Sequence, residues 1–445
     1  MTSLNSYVTK MIYQKIASFS ICLLPPLPSM NRKSIMKKSL VNKTCLMMVV
    51  LAFFLRGTAP LVACPFCNAP SLTLTEQIAE ADAVVLVEWI SAKKGEGDFA
   101  GSTTYRIKKI HKAPKKNLKA GETVTLVQHR TGNGDDLFLL LGSMGNQLEW
   151  NSPLKITNAS YQYITNAPAP DVKGAKRLLY FMKYLEVADQ TVADDAYYEF
   201  ANAPYKEIKT VAKKIPRNKI RKWLINPKTP ATRIGLYGLL LGLGGDKEDA
   251  KLMKKIIRNQ KEELRLGIDG VMSGYILLTG EEGLKFLEET KLVTLYITDK
   301  NGKPLLDETG EKKRVPFSEV YATMQALRFL WTYGDGKIEK NRLRQSLRIL
   351  LNRPELADLV ITDLARWKDW SVQEKLMKMY GSENYDVQSV KTSIVRYFLA
   401  CTADVPKNSK LPEPKHVKKA KKYLKILEQK DPRTVKTAKR FFFIR

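Results

Sequence analysis

The chain has 445 residues, with 74 Lys and Arg against 45 Asp and Glu, a formal net charge of +29, and five cysteines. So few cysteines in so long a chain exclude a small disulfide-held scaffold, and the length allows two or three domains with real cores. The basic excess points to an anionic partner, with solvated helix faces as the plainer explanation.

Residues 1–63 contain eight Lys and Arg and no Asp or Glu, so +21 of the +29 remains beyond them. From Met30 a basic stretch (Arg32, Lys33, Lys37, Lys38, Lys43) leads into an apolar run at 44–55 and then Arg56-Gly-Thr-Ala-Pro-Leu-Val-Ala63. That order is the layout of a cleavable export signal, with Met30 or Met36 as the working start. The apolar run is shorter than the roughly 20 residues a membrane span needs. Leu61 and Ala63 fit ordinary signal-peptidase cleavage, whereas Leu61-Val62-Ala63-Cys64 also fits a lipobox in which Cys64 carries lipid and anchors the chain to a membrane surface. Export turns the charge away from nucleic acid and toward an anionic surface or polymer, or a protein.

A short helix is expected at 75–82. Period-two patterning follows at 83–90, 103–110 and 121–128, a continuous apolar run at 137–141, and further strand candidates at 161–164 and 178–184. Short strands with Gly, Asn and Pro between them predict a small closed β-barrel or sandwich over 64–190, with the barrel adopted. From about 198 the period becomes helical. Arg233-Ile-Gly-Leu-Tyr-Gly-Leu-Leu-Leu-Gly242 and Arg265-Leu-Gly-Ile-Asp-Gly-Val-Met-Ser-Gly274 repeat Arg, Gly, Gly and Gly at an offset of 32. Each is followed by a second helix, at 246–257 and 281–289. Paired helices at that period predict an α-solenoid over 198–430. Glycine inside a helix costs roughly 1 kcal/mol each, which close packing of neighbouring repeats would offset. Further helices are expected at 319–333, 340–351, 354–367, 371–380, 387–402 and 417–428. Thr229 before Pro230 reads as an N-cap and Ser371 with Glu374 as a capping box. Residues 293–316 interrupt the helices with a hairpin about Asn301-Gly302, and 431–445 form a basic C-terminal tail. The fold class is therefore α+β and multidomain.

The helical half resembles HEAT-like repeat proteins in period and pattern, which implies a scaffold with a concave binding face and no catalytic residues. Cys64-Pro-Phe-Cys67, the turn at 75–81, Ala81-Asp-Ala-Val-Val85 and Gly174-Ala-Lys-Arg-Leu-Leu-Tyr-Phe-Met182 resemble the netrin-like, OB-type domain of metalloprotease inhibitors. There an N-terminal cysteine chelates the protease zinc. This chain departs in having C-x-x-C for C-x-C and no cysteine between Cys67 and Cys401. As a whole it is similar to exported bacterial proteins of unknown function that begin CPFC.

Cys64 and Cys67 form the one reactive-looking pair, suited to a redox or metal role and also to a local disulfide or tether. No haem-attachment, nucleophile-elbow, phosphate-loop or zinc-protease motif is present. His111 and His129 fall on expected strands and are read as outer-face residues. Catalytic residues, metal ligands and cofactors are accordingly not assigned. Asp363, Arg366, Trp367, Asp369 and Trp370 place charge beside two tryptophans and are candidates for binding, although the same composition suits an inter-repeat core. The expected function is an exported, non-catalytic binding or scaffold protein. A C-x-x-C redox or metal protein and a netrin-like inhibitor are the alternatives.

Overall fold

The structure, a computed structural model, describes residues 64–67, 72–97, 100–114, 118–172, 174–259, 264–299, 301–405, 412–440 and 442. The expected leader lies outside them. Helix α1 (Leu74–Glu80) opens with a capping box between Thr73 and Glu76. Strands β1 (Ala83–Lys93), β2 (Ser102–Lys112), β3 (Thr123–Leu126), β4 (Leu137–Met144), β5 (Leu148–Trp150) and β6 (Leu154–Ile156) follow. They form one antiparallel sheet in the order β3-β2-β1-β4-β5, with β6 also pairing with β4.

The sheet is open, so the expected barrel is not formed. Closure needs a strand to join β3 to the β4 side, and the segments expected to supply it are helices: α2 (Asn158–Asn166) and α3 (Ala175–Phe181). The Thr157–Ser160 capping box starts α2. Buried residues then recur at helical spacing, Tyr161 and Ile164 in α2 and Leu178 and Phe181 in α3. Residues 83–87 are all buried because both faces of β1 are covered. Val84, Leu86 and Leu139 face the helices, while Val85, Val87, Tyr105, Ile107, Phe138 and Leu140 form a second, smaller cluster.

Helices α4 (Gln190–Asn202), α5 (Tyr205–Ala212), α6 (Arg217–Ile225), α7 (Ala231–Gly244), α8 (Lys247–Arg258), α9 (Ile268–Thr279) and α10 (Glu281–Leu287) come next. A π-helical turn, Glu288–Val293, extends α10. After it come α11 (Phe317–Tyr333), α12 (Lys340–Ile349), α13 (Ala357–Arg366), α14 (Gln373–Met379), α15 (Gln388–Thr402), α16 (Lys415–Lys430) and α17 (Pro432–Arg440). One hydrophobic cluster runs from Cys64 and the inner sheet face through these helices to Ala438.

The repeated glycines meet. A Cβ on Gly238 would lie 2.6 Å from the Val271 Cα, and one on Gly242 would lie 2.2 Å from the Gly274 Cα. From the other side, Gly270 approaches the Gly235 carbonyl and Gly274 the Gly238 carbonyl at 2.3 and 2.1 Å on the same measure. Backbones α7 and α9 therefore touch directly, and no side chain fits between them. Arg233 and Arg265 occupy equivalent positions but have different partners, Arg233 pairing with Glu186 and Asp194 and Arg265 with Glu319.

Two expected caps differ. Pro230 occupies the N-cap of α7, and the Thr229 hydroxyl is buried without a hydrogen-bond partner. Asp369, not Ser371, caps the turn leading into α14. Between Thr294 and Pro316 the chain makes two consecutive turns. Asp299 Oδ1 accepts from the amides of Asn301 and Lys303, and Asp307 Oδ1 accepts from those of Thr309 and Glu311. Isolated bridges Tyr296–Arg314, Thr298–Pro304 and Leu306–Lys312 hold them.

Gly242→Val should destabilise the chain by on the order of 3 kcal/mol through overpacking of the seam. Gly244→Val would be no control, because Gly244 also abuts backbone, at Ala212. Gly310→Ala, at an open turn position with positive φ, should cost about 1 kcal/mol. Thermal or denaturant unfolding of the two variants checks the ordering.

Candidate functional site

Cys64 and Cys67 are joined by a disulfide. The Cys64 amide donates to the Ala201 carbonyl at the end of α4 at 3.1 Å. Cleavage after Ala63 would place the new α-ammonium on the same acceptor. Between the cysteines, the Phe66 ring lies 4.8 Å from that of Phe329 on α11. Its Cβ and carbonyl lie against Gly235 on α7, each 3.1 Å from where a Cβ would stand. The loop thus ties α4, α7 and α11 together. Cys64 is buried, and its sulfur is committed to Cys67. The remaining described cysteine, Cys401, is buried, which pushes its thiol up to about 12 and keeps it protonated.

The residues from Asp363 to Trp370 are brought together, but mostly inward. Buried Asp363 accepts from Arg328 Nε and lies 3.5 Å from Arg366, whose side chain is exposed. Burial raises the Asp363 carboxyl, and the arginines oppose that. Trp367 is buried and stacks on Trp331 at 4.3 Å with nearly parallel rings, and its carbonyl accepts from Arg344. Lys340 and Arg344 lie over the Trp331 ring at 5.0 and 5.4 Å. Asp369 is buried, holds Arg348 through both oxygens, and accepts from the amide and hydroxyl of Ser371. Trp370 Nε1 donates to Asp404, and its ring packs on Tyr397 and His416. These contacts join α11, α12, α13 and α15; Arg366 alone of the five turns to solvent.

Helix α4 carries two buried carboxylates one turn apart. Asp195 accepts from the Leu74 amide and the Tyr163 hydroxyl, both at 2.7 Å. Glu199 accepts from Thr75 and pairs with Arg177. This cluster locks α1, α2 and α3 onto α4. Burial pushes Asp195 up to about 6 against the pull of its two donors.

A cavity of about 400 Å³ opens beside the π-turn, within the size range of small-ligand sites. Its lining includes Arg258, Phe286, Thr290, Lys291, Tyr296 and Thr298. Lys291 is buried; its ammonium donates to Glu319 Oε2 at 2.8 Å and to the Ile257 carbonyl at 3.2 Å. Desolvation lowers Lys291 to about 8 despite Glu319. The π-helix, a form recurrent at functional sites, falls on these residues.

The last two helices carry a different feature. Val417, Ala420 and Leu427 of α16 and Thr434, Val435 and Ala438 of α17 are buried, with both helices packed on α15. At about 100° per residue, Lys415, Lys418, Lys422 and Lys425 fall within an arc of about 80° opposite the buried face. Arg433 and Lys436 stand opposite the buried face of α17 in the same way. All six are exposed, and among the described residues none has an ion-pair partner.

Among the described residues no cluster of His, Cys, Asp and Glu is arranged to hold a metal, and no helix is long and apolar enough to cross a membrane. Compared with known protein families, curated proteins and solved structures, the chain matches none.

Two outcomes follow from the buried contacts. Phe66→Ala should cost about 3 kcal/mol, and Cys67→Ser about 2 kcal/mol, because the loop that the disulfide closes is short; denaturant unfolding with and without reductant measures both. Asp195 has its folded pKa raised, so the native state holds its proton more tightly. Its contribution is most favourable below the unfolded value of 3.8 and is lost as pH rises to about 6. Asp195→Asn should flatten the stability–pH curve between pH 4 and 6; an unchanged slope there would show that Asp195 is not the group responsible.

Proposed function

We propose that the chain works after export as a non-catalytic binding protein: a HEAT-like stack of helix pairs that presents a basic face to an anionic polymer or surface. The observation that carries this reading is the six exposed cations opposite the buried faces of α16 and α17, none of them ion-paired among the described residues. An exposed cation on a helix gains from an acid one turn away and loses from another cation there. Here the one acid of α16, Glu428, is drawn to Lys439, and Glu413, just before the helix, pairs with Lys421. The outward arc is left with one sign of charge over about 15 Å of helix. Such an array attracts a polyanion at long range and loses its hold as salt rises.

Export is supported by the leader pattern and by the Cys64–Cys67 disulfide, a bond that persists outside the reducing cytosol. A lipid on Cys64 would take the sulfur that bonds Cys67 and would start from a buried position, so we adopt the unlipidated form. A redox role would cycle the pair between disulfide and dithiol, which needs an attacking thiolate to reach a sulfur; Cys64 is buried and Cys67 half-buried. The inhibitor role would require the Cys64 amino group to leave the Ala201 carbonyl.

The test is retention on immobilised heparin, a soluble stand-in for an acidic polysaccharide. The triple variant Lys418→Glu, Lys422→Glu, Lys425→Glu should elute at clearly lower salt than the parent, while Cys67→Ser elutes unchanged. Equal elution of parent and triple variant would reject the basic face as the binding surface. Loss of binding in Cys67→Ser with its fold intact would point instead to the cysteine pair.

A further inference from the structure

The segment between β3 and β4 carries one of the chain's two Asn-Gly steps, Asn133-Gly134; the other is Asn301-Gly302, between α10 and α11. Asparagine is a chemically labile residue, and a following glycine opens a particular route. The glycine amide nitrogen, once deprotonated, attacks the side-chain carbonyl carbon of the asparagine. A new C–N bond closes a succinimide ring, the bond to the side-chain nitrogen breaks, and that nitrogen takes up a proton and leaves as ammonia. Water then opens the ring at either carbonyl and leaves aspartate or isoaspartate. Glycine favours the attack because it carries no Cβ beside the nitrogen.

All four residues are exposed, and the space around both glycines is open. Access therefore does not distinguish the two steps, but the state of the attacking amide does. The Gly302 amide donates to the Asp299 carbonyl at 3.2 Å, and Asp299 Oδ1 accepts from the amides of Asn301 and Lys303. That nitrogen is engaged. The Asp299 carboxylate, which has no ion pair among the described residues, also opposes an anion forming in the same turn. At the other step the Asp136 amide donates to the Asn133 carbonyl at 2.9 Å, and the Asn133 amide donates to Asp136 Oδ2 at 3.1 Å. The Gly134 amide lies between these bonds and has no acceptor among the described residues. The Asp136 carboxylate is offset by Lys155, 2.6 Å away.

We propose that Asn133 is a site of spontaneous deamidation in the folded chain, its side-chain amide lost to attack by the Gly134 nitrogen, and that the turn around Asn301 shields the second step. The product falls in a loop that holds Trp89. The Trp89 amide donates to the Asp136 carbonyl and its Nε1 to the Arg130 carbonyl, both at 3.0 Å, and Gly132 lies against its ring. Isoaspartate at 133 adds a methylene to that loop's backbone and a negative charge beside Asp135 and Asp136. The reaction consumes only water, so it does not depend on the basic face of α16 and α17.

Peptide mapping by mass spectrometry of the full chain, kept folded at mildly alkaline pH, follows both sites in one sample. Asn133 should convert about fivefold faster than Asn301, the rate ratio that one hydrogen bond supplies. In denaturant, where both turns are lost, the two rates should converge. Gly134→Ala, at an open position, should remove most of the conversion at 133 and leave 301 unchanged; its melting temperature checks its folding. Equal rates at the two sites in the folded chain, or faster conversion at 301, would overturn the proposal. So would a ratio that persists in denaturant, because sequence and not fold would then set it. Conversion at 133 in denaturant but not in the folded chain would overturn it as well.

Discussion

The direct backbone contact between α7 and α9 is the constraint on which the rest of the helical region depends. Four glycines from two helices interleave, Gly235, Gly270, Gly238 and Gly274 in turn, with Gly242 closing the row. Each leaves space that only backbone fills. Helices at this distance gain dispersion contacts along their length, which offset the conformational cost of glycine in a helix. The first glycine of the row also serves the N-terminal loop. Gly235 is where Phe66 rests, so the seam that joins two helix pairs also receives the Cys64–Cys67 loop. Through Phe66 the seam connects to Phe329 on α11 and through Cys64 to the end of α4.

Around this apolar framework, buried charge is distributed unevenly. On α4 carboxylates are in excess, with Arg177 paired to Glu199 and Asp195 raised chiefly by burial. Near the π-turn Arg265 and Lys291 share Glu319, and burial lowers Lys291. The cluster centred on Asp363 and Asp369 is balanced, with Arg328 and Arg348 each facing one carboxylate. Balanced pairs are what a packing interface between helices requires. The other two regions differ in one respect: the acids on α4 are closed in by α1, α2 and α3, whereas Lys291 at the π-turn borders a cavity.

Much of the helical half was legible from residue pattern. The offset of 32 between the two glycine motifs, the helix positions after residue 230 and the turn at Asn301-Gly302 all come from local chemistry: a 3.6-residue period, glycine at close approaches, and Asp and Asn in turns. The barrel reading erred at 161–164 and 178–184. Short apolar runs rich in Tyr, Leu and Phe carry similar strand and helix signals, and the Thr157–Ser160 cap decided the first in favour of helix. The tryptophans at 367 and 370 read equally well as a binding surface or a core. Their neighbours Trp331, Arg344 and Asp404 are distant in sequence, so the contacts they make were not legible from local pattern.

The amino-acid order by itself determined where helices run beyond residue 230, which residues are small enough to let two of them touch, and that the last helices are basic. Those properties act over one or two turns of chain. Tertiary structure decided whether the sheet closes, which acids meet which arginines, and that Lys291 borders a cavity. Ion pairs such as Lys291 with Glu319 and Arg342 with Glu288 join residues that share no local pattern. Their partners are set by the angle and register at which helices stack, and that geometry follows from the packing of the whole core.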